Sequence, residues 1–127
     1  MNAVHGNLLA GWLGILGGVT SGAAIGLFFH RDGWAGGYGS FRRRLIRLGH
    51  ISFVGIGILN ILFAITATQI AFSERAAGVA STALIVAGVA MPAVCFLTAW
   101  RRAFRHLFVV PVAAVVAAGS SMLLGWR

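Results

Sequence analysis

The sequence predicts an all-α integral membrane protein, a bundle of four transmembrane helices with both termini on the non-cytoplasmic side. Three observations lead there. Of the 127 residues, 59% are hydrophobic and 9% charged, where a soluble domain carries about 25% charged residues. Four long apolar runs contain no Asp, Glu, Lys or Arg. The arginines gather in alternate connections between those runs. A mean hydropathy of +0.92 makes lipid the natural solvent, and the length accommodates a single transmembrane domain over residues 1–127.

The runs are Asn7 to His30, Leu48 to Phe72, Gly78 to Trp100 and His106 to Trp126, each 21 to 25 residues long. About 20 residues cross the hydrocarbon core at a helical rise of about 1.5 Å each. Every backbone group must be satisfied inside lipid, and runs of this length far exceed a barrel strand, so helices are the solution. The first run is a retained span: no basic residue precedes it, and no small-x-small site opens onto a soluble domain.

The connections fix the threading. The longest, residues 31–47, reads RDGWAGGYGSFRRRLIR and holds Arg31, Asp32, Arg42, Arg43, Arg44 and Arg47, net +4. The link at residues 101–105, RRAFR, is net +3, and SERAA, from Ser73, is neutral. Arg127 completes the total of +8. Two helices separate the basic links, so they share a side, which the positive-inside rule makes cytoplasmic. Trp34, Tyr38, Phe41, Trp100 and Phe104 mark that interface, and Trp12 and Trp126 lie toward the other. In a soluble chain such a charge would point to nucleic acid; here sidedness accounts for it and no nucleic-acid partner is expected. The partners expected are the bilayer, with anionic headgroups drawn to the arginines, and other membrane subunits. The membrane expected is the bacterial inner (cytoplasmic) membrane.

Gly14, Gly18, Gly22 and Gly26 form a glycine zipper at four-residue spacing, on one slowly drifting face of the first helix. Such faces let backbones approach closely, either inside the bundle, the commoner use, or against another subunit. Asn60 is the most polar residue near mid-membrane. If His30 and His50 mark one depth, Asn60 comes level with Thr20 and Ser21, and an interhelical hydrogen bond to that pair is expected. Pro92 falls inside the third helix, where it removes a hydrogen bond and frees the Gly88 carbonyl.

Three histidines fall toward the basic side: His30 at the end of the first helix, His50 about a turn into the second, and His106 at the start of the fourth. Imidazoles on different helices can ligate haem iron, with Arg47 and Arg105 placed to pair with propionates. His50 lies deepest in its run and leads this set, although an interfacial histidine is more often only half-wetted packing. Met91 and Cys95 share a helical face suited to Cu(I), but both are ordinary packing groups. A lone cysteine excludes an internal disulfide and a CxxC motif. Asp32 and Glu74, the only acids, lie in links, which counts against a proton-coupled carrier. Ser120 and Ser121 have no histidine at their depth, so no catalytic residue is assigned. The sequence thus favours a non-catalytic accessory or packing subunit of a larger membrane complex. A haem b- or quinone-binding electron-transfer subunit comes second, and a small homo-oligomeric channel or carrier third.

Overall fold

The computed structural model describes residues 3–126; the charge assigned to Arg127 lies outside them. The helices are α1 (Ala3–Gly26), α2 (Phe41–Gln69), α3 (Glu74–Trp100) and α4 (Val109–Gly125). Two 3₁₀ segments, Trp34–Gly36 and Arg102–Phe108, join them at one end. Four segments among the described residues are long and apolar enough to cross a membrane, the last running from Arg102 to Gly125. The chain is a multi-pass, all-α integral membrane protein.

The arginine-rich segment is not the loop expected over residues 31–47. Ser40 caps α2, its hydroxyl accepting from the Arg43 amide at 3.1 Å, and helix begins at Phe41. A serine N-cap, arginines with good helix propensity, and apolar Phe41, Leu45 and Ile46 make FRRRLIR two helical turns. At 29 residues, α2 is roughly 43 Å long, so it reaches past a hydrocarbon core of about 30 Å. The true turn is residues 27–40. It reverses at Ala35, Gly36 and Gly37, with φ of 54°, 87° and 89°, a region open to glycine at no steric cost.

The second basic link differs too. Residues 102–108 wind as 3₁₀ and pass directly into α4. Pro111 sits in the first turn of α4, where its missing N–H breaks no α-helical hydrogen bond within that helix. Pro92, by contrast, is buried inside α3, which stays helical from Glu74 to Trp100.

At the neutral end, Ser73 caps α3 by accepting from the Ala76 amide at 3.2 Å, and its own amide donates to the Gly125 carbonyl at 3.2 Å. Phe72 and Trp126 meet edge to face at 6.4 Å. The start of α1 and the end of α4 therefore share an end with the short α2–α3 turn, and the arginines of residues 31–47 and 101–105 occupy the other.

Helix α3 is central. It packs against α2 and α4 and also touches α1, whereas α1 and α4 do not touch. The apolar core joins Phe63, Ala80, Leu84 and Ala118, drawn from α2, α3 and α4. The bundle is consequently open between its first and last helices.

Candidate functional site

The α1–α2 seam is built from glycine. A methyl group at Gly14 would stand 2.9 Å from the Phe53 carbonyl oxygen, and one at Gly57 would stand 2.8 Å from the Gly11 carbonyl oxygen. At Gly18 it would overlap Val54, and at Gly22 it would meet the His50 ring at 2.9 Å. Gly14, Gly18 and Gly22 thus face α2 inside the chain, while Gly26 has open space around it. The fourth member of the close-packed face is Gly11 rather than Gly26, with Gly57 as its counterpart on α2. Gly26, the last residue of α1, has no α2 neighbour at its level within one copy.

The same register overturns the expected partners of Asn60. Thr20 donates to the Leu16 and Gly17 carbonyls and Ser21 to the Gly18 carbonyl, all within their own helix. Asn60 instead meets Asn7. The Asn7 amide donates to Asn60 Oδ1 at 2.7 Å and to the Ser81 carbonyl at 3.3 Å. Ser81 Oγ donates to Asn7 Oδ1 at 2.5 Å. The Asn60 amide donates to the carbonyls of Ile56 at 3.0 Å and Leu84 at 3.1 Å. All four amide N–H bonds of the two asparagines are used, and both residues are buried. Three helices are pinned by one saturated network.

His50 lies half-buried between α1 and α2. Its Nδ1 is 3.2 Å from the Gly18 carbonyl oxygen, so Nδ1 donates in that bond. His30 and His106 are both exposed. His30 lies in the turn beyond the end of α1, whereas His50 packs level with Gly18 and Gly22. Depth does not unite these two. Among the described residues no group of three or more His, Cys, Asp or Glu side chains is placed to hold a metal ion. Arg47 lies over the Tyr38 ring at 4.9 Å, and Arg105 is exposed.

The basic end carries a feature that hydropathy and charge did not reveal. Arg43 is only 3% exposed. Its guanidinium carbon sits 4.9 Å from the Phe29 ring centroid, 5.5 Å from that of Trp34 and 5.3 Å from that of Tyr38. One Nη2 reaches the Phe29 carbonyl at 3.4 Å, and Nε has no hydrogen-bond partner. Among the described residues no acid pairs with it; three π faces surround its charge instead. Phe28 stacks on Trp34 at 5.6 Å, extending the aromatic cluster. A helical arginine seven residues before His50 on an inward face, beside a turn rich in aromatics, was the available signal.

Comparison of the chain with protein-family models, with curated proteins and with solved structures found no match.

Proposed function

We propose that the chain is a non-catalytic packing subunit of a larger complex in a bacterial inner membrane, with its arginine-rich end in the cytoplasm. The observation that carries this reading is the crevice between α2 and α4. Helix α4 packs on α3 and leaves an apolar crevice of about 150 Å³ beside α2, lined by Leu59, Leu62, Thr66, Val115, Gly119 and Met122 among others. The polar groups buried at mid-bundle are spent on the internal Asn7–Asn60–Ser81 network, which leaves no polar path for a carrier or channel within one copy. A partner helix could enter beside α4 without any rearrangement of the α1–α2 seam.

Photocrosslinking in native membranes tests this. A photoreactive residue at Leu62 or Val115 is expected to give one discrete protein adduct, and the same residue at Val19, on the outer face of α1, none. Lipid adducts alone at all three sites, together with a monomer on native gels after mild solubilisation, would reject the proposal.

A second reading is favoured by one contact. An imidazole whose Nδ1–H donates to a backbone carbonyl presents Nε2 as metal-binding histidines do, and His50 has this arrangement with Gly18. A haem b ligated through His50 would give a reduced-minus-oxidised α-band that His50→Ala abolishes. A colourless protein from haem-replete cells would end that reading.

A further inference from the structure

We infer that the cleft between the start of α2 and the end of α3 is a specific site for the phosphate of an anionic glycerophospholipid. The cleft has a volume of about 330 Å³ and is lined by Gly36, Ser40, Phe41 and Arg42 on one side and by Trp100 and Arg102 on the other. Two arginines from different elements line one cavity. Arg102 is held there by its neighbour: its guanidinium carbon lies 5.0 Å from the Phe41 ring centroid. No acidic side chain lines the cleft, and Arg42 and Arg102 have no carboxylate partner among the described residues. Like charges facing one cavity favour an anion with several acceptor oxygens, and arginine pairs match phosphate in bidentate geometry.

Position selects a lipid as the source. Trp100 is the last residue of α3, is 68% exposed and stacks on Phe104 at 6.4 Å. An exposed tryptophan at the end of an apolar span marks the headgroup level. A phosphate in the cleft would let its acyl chains descend beside that aromatic pair along α3. This differs from the general attraction of a basic surface, because it assigns the interaction to Arg42 and Arg102 and not to the other arginines. It is independent of the packing-subunit reading, and either can fail alone.

The test is a lipid titration of the purified full chain in a neutral detergent micelle, read by native mass spectrometry, with phosphatidylglycerol and phosphatidylcholine as probes. Wild type is expected to retain phosphatidylglycerol in preference to phosphatidylcholine. The R42Q/R102Q double variant should weaken phosphatidylglycerol binding by about tenfold or more, since each arginine near a headgroup supplies roughly a fivefold factor. The R31Q/R44Q double variant removes equal charge outside the cleft and should weaken binding clearly less than R42Q/R102Q, since neither side chain lines the cavity. Phe41→Ala, which frees Arg102, should fall between them. All the arginines changed are exposed, so folding is preserved and is checked by circular dichroism. Equal loss in both double variants, or loss in neither, overturns the site. Displacement of the lipid by inorganic phosphate at matching concentration overturns its assignment to a lipid.

Discussion

Asn7 Nδ2 donates to Asn60 Oδ1 at 2.7 Å across the α1–α2 seam, and Ser81 of α3 closes the network through Asn7 Oδ1. Removing one asparagine leaves the other with a buried unmet group, a loss of about 1–3 kcal/mol. Removing both leaves the seam apolar. Asn7→Leu and Asn60→Leu should each destabilise the protein, and the double variant should cost less than their sum. A coupling of about 0.6–1.7 kcal/mol is expected, as for other hydrogen bonds between membrane helices. Unfolding in mixed micelles measures it, and strict additivity would contradict the network.

Four spans and the direction of charge were legible because both depend on composition averaged over whole segments. The partners of Asn60 were not, because they depend on register. Taking His30 and His50 as one level displaced α1 against α2. The structure places His50 beside Gly18 and Gly22, which carries Asn60 to Asn7 at the opposite end of α1. The error began at Phe41. Arginines that read as a loop are the first two turns of α2, so the second helix starts earlier than its apolar run. Arg43 was hidden for the same reason, since a residue assigned to a loop has no inward face. The glycine stripe was legible as a packing face; within one copy Gly14, Gly18 and Gly22 use it, and Gly26 faces open space.

The glycine seam makes two opposite predictions. A methyl group at Gly57 meets the Gly11 carbonyl oxygen, and one at Gly14 meets the Phe53 carbonyl oxygen. Both are backbone atoms, so the helices must separate. Gly57→Ala and Gly14→Ala should each cost about 1–3 kcal/mol, the range for overpacked interiors. Gly55, also within α2, has open space around it. Gly55→Ala should be neutral or gain up to about 1 kcal/mol through helix propensity. Thermal unfolding of the three variants in one detergent gives the comparison, and similar losses at Gly55 and Gly57 would refute the seam.

Arg43 should resist conservative replacement. Its planar guanidinium faces three aromatic rings at once, which the compact ammonium of lysine cannot reproduce. Arg43→Lys is expected to lose about 1–2 kcal/mol of stability, in the range of desolvated cation–π contacts, and to shift Trp34 fluorescence. Arg44, exposed on the same helix, should tolerate Lys within about 0.5 kcal/mol. Equal tolerance at both positions would show that the cage contributes nothing.

Sidedness can be read with a single thiol. Cys95 is buried and should remain silent toward a membrane-impermeant maleimide in folded protein. In sealed right-side-out vesicles, Glu74→Cys at the neutral end should label, and Gly39→Cys at the basic end should not. Inverted vesicles should exchange the two results. The opposite pattern would place the arginines outside and overturn the cytoplasmic assignment drawn from the positive-inside rule.

The contact between Gly22 and His50 offers the sharpest local test. A methyl group at Gly22 would stand 2.9 Å from both Cε1 and Nδ1 of His50, so the ring must turn aside. That motion breaks its hydrogen bond to the Gly18 carbonyl. Gly22→Ala should therefore destabilise the wild-type background by about 1–2 kcal/mol, combining a lost hydrogen bond with local overpacking. With His50→Ala already in place the obstacle is gone, and Gly22→Ala should become neutral or stabilising through helix propensity. The double-mutant cycle thus has a large coupling if His50 occupies the glycine cradle and none if it points to lipid. The same variants also address the haem reading. If His50 ligates haem, Gly22→Ala should shift the Soret band as the ring moves. A coupled but colourless pair would leave His50 as the residue that locks α2 onto α1.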